Sequence, residues 1–238
     1  TKLFPVQSAT FNEIYNGRDV LARARTGTGK TLGFALPILE RLIVDKEQSG
    51  QRRRRRGDKP STIILSPTRE LAQQVEREIE ALTEGGGVQV KTLCVYGGVS
   101  YHKQERELRD GVDMVVGTPG RMIDLMNSGV LDLSEVRYLV LDEADEMLNR
   151  GFSEDVDTLM AQMPEGENRP QTLLFSATVP HWVKELAQEN LVSPHSVDLV
   201  GNSKLKVAEG VTNVAVVANE RQRHTMLADL ITLFKTRH

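Results

Sequence analysis

The chain has a single cysteine, Cys94, so no internal disulfide can form, and its place inside the apolar run 90–95 fits a core thiol. Five histidines (His102, His181, His195, His224 and His238) fall at no metal-ligand spacing, which with one cysteine argues against a zinc centre. Aromatic residues make up only 5% of the chain, too few for an obvious base-stacking platform. No apolar run is long enough to cross a bilayer, and no signal peptide is visible. Charge of neither sign dominates. The net charge is -3, so any surface for nucleic acid must be a local patch and not a global field. What is present, 39% hydrophobic and 26% charged residues over 238 positions, predicts one large α/β domain or one domain plus a fragment.

One stretch organises the rest: Ala24-Arg25-Thr26-Gly27-Thr28-Gly29-Lys30-Thr31. It follows an apolar segment, 19–24, that predicts a short buried strand. It opens a segment, 30–44, with apolar residues at helical spacing. Strand, glycine loop and helix together form the context that a phosphate-binding loop needs. Gly27 and Gly29 permit the tight turn that aims successive N–H groups at one anion. The helix N-terminus adds unpaired N–H groups and partial positive charge. Lys30 can reach outer phosphates, and the Thr31 hydroxyl can ligate magnesium. The general pattern begins with glycine, and here Ala24 holds that place.

Upstream, Gln7 precedes a helix predicted at 8–15. Its amide presents a donor beside an acceptor, matching the exchangeable edge of adenine; the plainer reading is an exposed glutamine at a helix start. Five consecutive arginines, Arg52 through Arg56, lie in a charged stretch, 45–60. That stretch reads as a solvated loop or as a non-specific contact to nucleic-acid phosphates. From there strands are predicted at 62–65, 90–95, 112–117, 136–141, 171–175 and 197–200. They alternate with a helix opened within 67–72 and running to about 83, and with helices at 101–109, 122–127, 157–163 and 180–191. Such alternation implies right-handed crossovers and a mainly parallel sheet with helices on both faces. Residues 201–210 read as a polar linker. Beyond it a strand-like run, 211–218, and a helix-like run, 221–234, are too little to bury a core and read as the opening of a second domain.

Each polar signature follows a strand, so in a doubly wound sheet all of them converge on the carboxyl edge. Asp142 ends a buried strand, where a carboxylate can hold magnesium, and Glu143 beside it can orient or deprotonate a water. The plainer reading of these acids is a favourably charged helix start. Pro67-Thr68-Arg69, Gly97-Gly98 and Thr118-Pro119-Gly120-Arg121 offer small residues, free N–H groups, hydroxyls and arginines that suit a phosphate backbone. The hydroxyls of Ser176-Ala177-Thr178 can bond the 142–145 segment and couple the two parts of the rim.

In order along the chain, these motifs resemble those of the first domain of DEAD-box RNA helicases. The likeness covers Gln7, the loop Ala24 to Thr31 with its leading alanine, Pro67 to Ala72, Gly97-Gly98, Thr118 to Arg121, Asp142-Glu143-Ala144-Asp145, and Ser176 to Thr178. Leu3-Phe4-Pro5, Tyr96-Gly97-Gly98, the 170–178 segment and Pro180-His181-Trp182-Val183 resemble a subgroup of Gu-type nucleolar and plant organellar enzymes. The subgroup points to an intracellular setting, in the nucleus or nucleolus, chloroplast or mitochondrion. The resemblance implies a RecA-like P-loop domain over 1–200, a linker at 201–210 and the start of a second RecA-like domain over 211–238. It implies ATP and Mg2+ as cofactors, RNA held through its backbone as the partner, and no membrane. In that reading Gln7 reads adenine. Thr26, Gly27, Thr28, Gly29, Lys30 and Thr31 hold the phosphates, and Thr31 and Asp142 hold magnesium. Lys30, Asp142, Glu143, Ser176 and Thr178 form the catalytic set, with Glu143 acting on water and the two hydroxyl residues coupling hydrolysis to RNA release. Pro67, Thr68, Arg69, Gly98, Thr118, Gly120 and Arg121 contact the RNA backbone.

The family's aromatic residue that packs on adenine would lie before Thr1, and arginines contacting the γ-phosphate would come from a second domain in cis. An arginine finger is worth about 10³–10⁵ in rate for related phosphoryl transfers, so the chain alone is expected to turn over little or no ATP. Two rival readings share the same residues: a non-catalytic RNA or protein docking platform, and a motor directed at DNA.

Overall fold

Short, buried and mostly apolar runs set the architecture. Thr62–Leu65, Met114–Gly117, Tyr138–Asp142 and Gln171–Ser176 are buried at every position, as strands covered on both faces must be. The computed structural model describes residues 3–50, 56–84, 90–201, 216–217 and 219–234. Cα proximity divides the chain into two compact units, Thr1–Lys206 and Val207–His238.

In the first unit the elements run α1 (Pro5–Tyr15), β1 (Val20–Arg23), α2 (Lys30–Ser49), β2 (Thr62–Leu65), α3 (Arg69–Thr83), β3 (Thr92–Val95), α4 (Tyr101–Arg109), β4 (Met114–Gly117), α5 (Pro119–Asn127), β5 (Tyr138–Asp142), α6 (Ala144–Asn149), α7 (Ser153–Met160), β6 (Gln171–Ser176), α8 (His181–Asn190) and β7 (His195–Asp198). The strands form one sheet in the order β3-β4-β2-β5-β6-β1-β7, and every neighbouring pair is parallel. The expected α/β class, with a parallel sheet flanked by helices on both faces, is the observed one.

Period-2 alternation divides each strand between two cores. Ile64, Val116, Val140, Leu173 and Phe175 face α1, α2 and α3, where Phe34 meets Phe175 edge-on at 5.3 Å. Ile63, Leu65, Val115, Leu139, Leu141 and Leu174 face the opposite layer, which includes α5, α7 and α8. Cys94 is buried as expected, and burial with Glu76 nearby pushes its thiol up to about 12.

Register brings the carboxyl ends level: Val95 lies opposite Gly117, Gly117 opposite Leu65, Leu65 opposite Leu141, and Ser176 opposite Arg23. The amino edge is held by buried acids. Asp113 pairs with Lys46 at 2.7 Å and accepts from the N–H of Lys91. Asp19 accepts from the N–H groups of Thr172 and Val192 and pairs with Arg169 at 2.9 Å.

Several expected boundaries move. α1 starts at Pro5 and not at 8, because proline presets the first helical φ and Gln7 Oε1 accepts the N–H of Phe4. α2 continues to Ser49, where Gly50 at φ 68° ends it in the left-handed conformation. α6 has no expected counterpart, since six residues, half of them acidic or amide, show no periodicity to read. β7 starts two residues before the expected strand. The second unit holds a 3-10 turn, Glu220–Gln222, capped by Asn219, and α9 (Arg223–Phe234), on which Leu227, Ile231 and Leu233 are exposed. Arg52 to Arg55, the linker from 202 on, and 211–215 and 218 of the strand-like run lie outside the described residues. Arg56 is described and exposed.

Candidate functional site

The glycine loop joins β1 to α2. Gly27 at φ 78° and Gly29 at φ 80° both occupy the left-handed region, and Gly29 is the N-cap of α2. A Cβ on Gly29 would stand 2.5 Å from Gln7 Nε2 and 3.0 Å from Phe4 Cδ2, so glycine is required by the close approach of α1 as well. The Thr28 hydroxyl donates to Arg25 O at 2.7 Å and stiffens the loop. Thr26 and Gly27 are exposed, whereas Lys30 is buried.

Gln7 is 4% exposed, against its plainer reading as a solvated residue. Its Oε1 accepts from Phe4 N at 2.9 Å and its Nε2 donates to Gly29 O at 3.2 Å. A glutamine amide has two donors and two lone pairs, so one of each remains.

β5 delivers Asp142 to the same place. The residue is 5% exposed, and its Oδ1 has no hydrogen-bond partner among the described residues. Burial, then the neighbouring charge of Glu143, push its carboxyl up to about 7 against the opposing pull of Lys30. Glu143 sits at φ 52°, a strained conformation for a side-chain-bearing residue, as the N-cap of α6. Its Oε1 lies 2.8 Å from Lys30 Nζ, an ion pair with both side chains largely buried. Together these groups line a cleft of roughly 360 Å³ with Thr31, Leu71 and Glu78, within the size range of small-ligand sites. Among the described residues no cluster of three or more His, Cys, Asp or Glu side chains could cage a metal. One unpartnered buried carboxylate near a phosphate loop fits magnesium, which takes one or two carboxylates and completes its shell with phosphate oxygens and water.

β6 lies between β5 and β1, and its end bonds directly to the acidic segment. Thr178 donates to Asp145 Oδ2 from both N (3.0 Å) and Oγ1 (2.6 Å), and Asp145 N donates to Ser176 Oγ at 3.2 Å. Burial raises the Asp145 carboxyl, and the Thr178 and Ser176 bonds outweigh it, leaving it below the ordinary value.

β2, β3 and β4 carry the other signatures. Pro67 is buried and Arg69 exposed; Thr68 caps α3, its hydroxyl accepting from Leu71 N at 3.2 Å. A Cβ on Gly98, at φ 89°, would lie 2.5 Å from Arg69 Nη1, so the two motifs pack against each other. Thr118 is the N-cap of α5 and its N–H donates to Val95 O at 3.1 Å. Gly120 has nothing within 4 Å of where a Cβ would be, so its backbone is approachable. Arg121 is turned into the fold: its guanidinium donates to Gln104 Oε1 at 2.8 Å and lies over the Tyr101 ring. Gln104, buried at 4%, donates in turn to Tyr96 O at 3.3 Å and so ties the glycine pair to α5. Sequence reasoning missed Gln104, Tyr101 and Phe4, because one polar or aromatic residue on a short element has no spacing to mark it.

A family model described as DEAD/DEAH box helicase matches residues 4–186. The chain is 51% identical over 234 residues to a Zea mays protein named DEAD-box ATP-dependent RNA helicase 3B, chloroplastic, covering 98% of this chain and 30% of that one. It is 44% identical to DEAD-box ATP-dependent RNA helicase 9, mitochondrial, of Arabidopsis thaliana (97% and 36% covered) and 41% identical to Nucleolar RNA helicase 2 of Rattus norvegicus (98% and 29%). It thus spans about a third of the length of these curated relatives. A solved DEAD box protein from Methanococcus jannaschii superposes with a TM-score of 0.72 at 34% identity, over 96% of this chain and 56% of that one.

Proposed function

The chain belongs to the DEAD/DEAH box helicase family, and on that premise we propose that its first unit is the nucleotide-binding half of an ATP-dependent RNA helicase. The observation that carries this reading is the meeting of Lys30, Asp142 and Glu143 beneath the glycine loop, with Asp142 Oδ1 buried and unpartnered. Gln7 holds the adenine edge with its remaining donor and lone pair. The N–H groups from Thr26 to Thr31 and the Lys30 ammonium hold the phosphates. Thr31 and Asp142 hold magnesium, which when bound draws charge from the outer phosphates. Phosphate competes with Glu143 for Lys30, and the released Glu143 carboxylate then accepts a proton from, and orients, the attacking water. Asp145, Ser176 and Thr178 tie the end of β6 to this segment, so a change at the nucleotide is felt between the two halves of the rim.

RNA runs over the ends of β2, β3 and β4. Pro67, Thr68, Gly98, Thr118 and Gly120 present backbone and hydroxyl groups to phosphates, and Arg69 presents its guanidinium. Arg121 acts there mainly by holding the Gly98 and α5 segments in register. A second RecA-like domain, in cis, supplies the arginines that complete the site.

Calorimetry with magnesium tests the nucleotide site. ATP and ADP are expected to bind and GTP not, with Lys30→Ala abolishing binding and Gln7→Ala erasing the preference for adenine. In the full-length enzyme, Glu143→Gln is expected to abolish turnover and bind ATP at least as tightly. Equal loss of binding and turnover would make Glu143 structural. A protein that binds RNA yet hydrolyses no ATP under any RNA would favour the docking platform.

A further inference from the structure

Phe4 is unexplained by the helix it caps. N-cap positions favour Ser, Thr, Asp or Asn, whose side chains accept a first-turn N–H, and Phe4 makes no such bond. Nor is it a core residue, since 54% of its surface is exposed. It lines the cleft of the glycine loop, Lys30 and Asp142, and among the described residues it is the one aromatic in that lining. Its position is fixed from three sides. Pro5 follows it, its backbone is extended at φ -70° and ψ 153°, and its N–H donates to Gln7 Oε1 at 2.9 Å. Its ring edge packs against Gly29, where a Cβ would stand 3.0 Å from Phe4 Cδ2.

We infer that Phe4 is a nucleoside-contacting residue whose ring packs on the adenine moiety while the adjacent Gln7 reads its edge. The inference rests on the adenine-nucleotide reading above and concerns a different residue from the upstream aromatic that the family resemblance implies. The Phe4 backbone N–H donates to Gln7 Oε1 and fixes the amide beside Phe4, so the ring and the amide line the same cleft. Phe4 supplies affinity for a flat apolar face, which every nucleobase has, and Gln7 supplies the choice among bases.

The test is calorimetry on this chain with ADP, GDP and inorganic tripolyphosphate, each with magnesium, comparing wild type with Phe4→Ser and Phe4→Trp. Serine is a better N-cap, so the thermal midpoint of Phe4→Ser is expected to hold or rise. Its affinity for ADP is expected to fall about tenfold while that for tripolyphosphate stays the same. Phe4→Trp is expected to retain ADP affinity, and its new indole emission to change on adding ADP. Equal ADP affinity in wild type and Phe4→Ser would overturn the inference, and so would parallel loss of ADP and tripolyphosphate. A wild-type chain that binds tripolyphosphate but not ADP would also overturn it. If wild type bound neither, the nucleotide reading itself would fall, and this inference with it.

Discussion

Asp142 is uncomfortable in the metal-free protein, because burial and the Glu143 charge both disfavour its ionised form. An acid whose carboxyl sits near 7 in the folded chain and near its ordinary 3.8 when unfolded makes the folded state bind more protons between those pH values. Stability therefore falls as pH rises from 3.8 to about 7, and the loss is fully present above that. Asp142→Asn removes the term, so in chelator the variant is expected to be about 2–4 kcal/mol more stable than wild type at pH 8 and equal to it at pH 3. Urea unfolding at the two pH values checks this; parallel profiles would show that Asp142 is not the source. A stabilising substitution at a residue proposed to hold magnesium is the trade expected where function retains strain. Lys30, Asp142 and Glu143 were legible in the sequence because motif spacing marks them. The burial of Gln7 and the inward turn of Arg121 were not, since both depend on partners, Gly29 and Gln104, that only the fold brings near.

Among elements, β3 and β4 show how closely the rim is built. A Cβ on Gly117, the last residue of β4, would come 2.1 Å from Val95 O and 2.7 Å from Val95 Cγ2. Gly117→Ala must therefore spread two paired strands at the point where Thr118 starts α5. The expected loss is about 3 kcal/mol of stability by urea unfolding, with weaker RNA binding at temperatures where the variant is still folded. Unchanged stability would mean that the strand ends give way easily. Element type was readable almost throughout, because four strands are mostly apolar and buried at every position and α3 repeats its buried residues at Ala72, Val75 and Ile79. Element ends were less so. Cap chemistry decides them, and at α1 the cap is a contact from a glutamine three residues inside the helix.

In the first unit, β1, β5 and β6 carry the proposed nucleotide residues and β2, β3 and β4 the proposed RNA residues, with β2 and β5 adjacent at the join. A chain carrying half of a split site is expected to bind ADP yet hydrolyse ATP at least about 10³-fold more slowly than a longer form with the second domain, measured by phosphate release with RNA present. Comparable rates would mean that the first unit is catalytically complete. The level register of the strands also has a mechanical meaning. From the end of β1 to the end of β4 there are four strand-to-strand steps of about 4.8 Å, or about 19 Å, fixed by backbone hydrogen bonds. The sheet therefore behaves as a gauge block that sets the separation between the proposed nucleotide and RNA sites and cannot itself stretch. In the proposed reading the plate is the stator, and any stroke has to come from elsewhere in the protein.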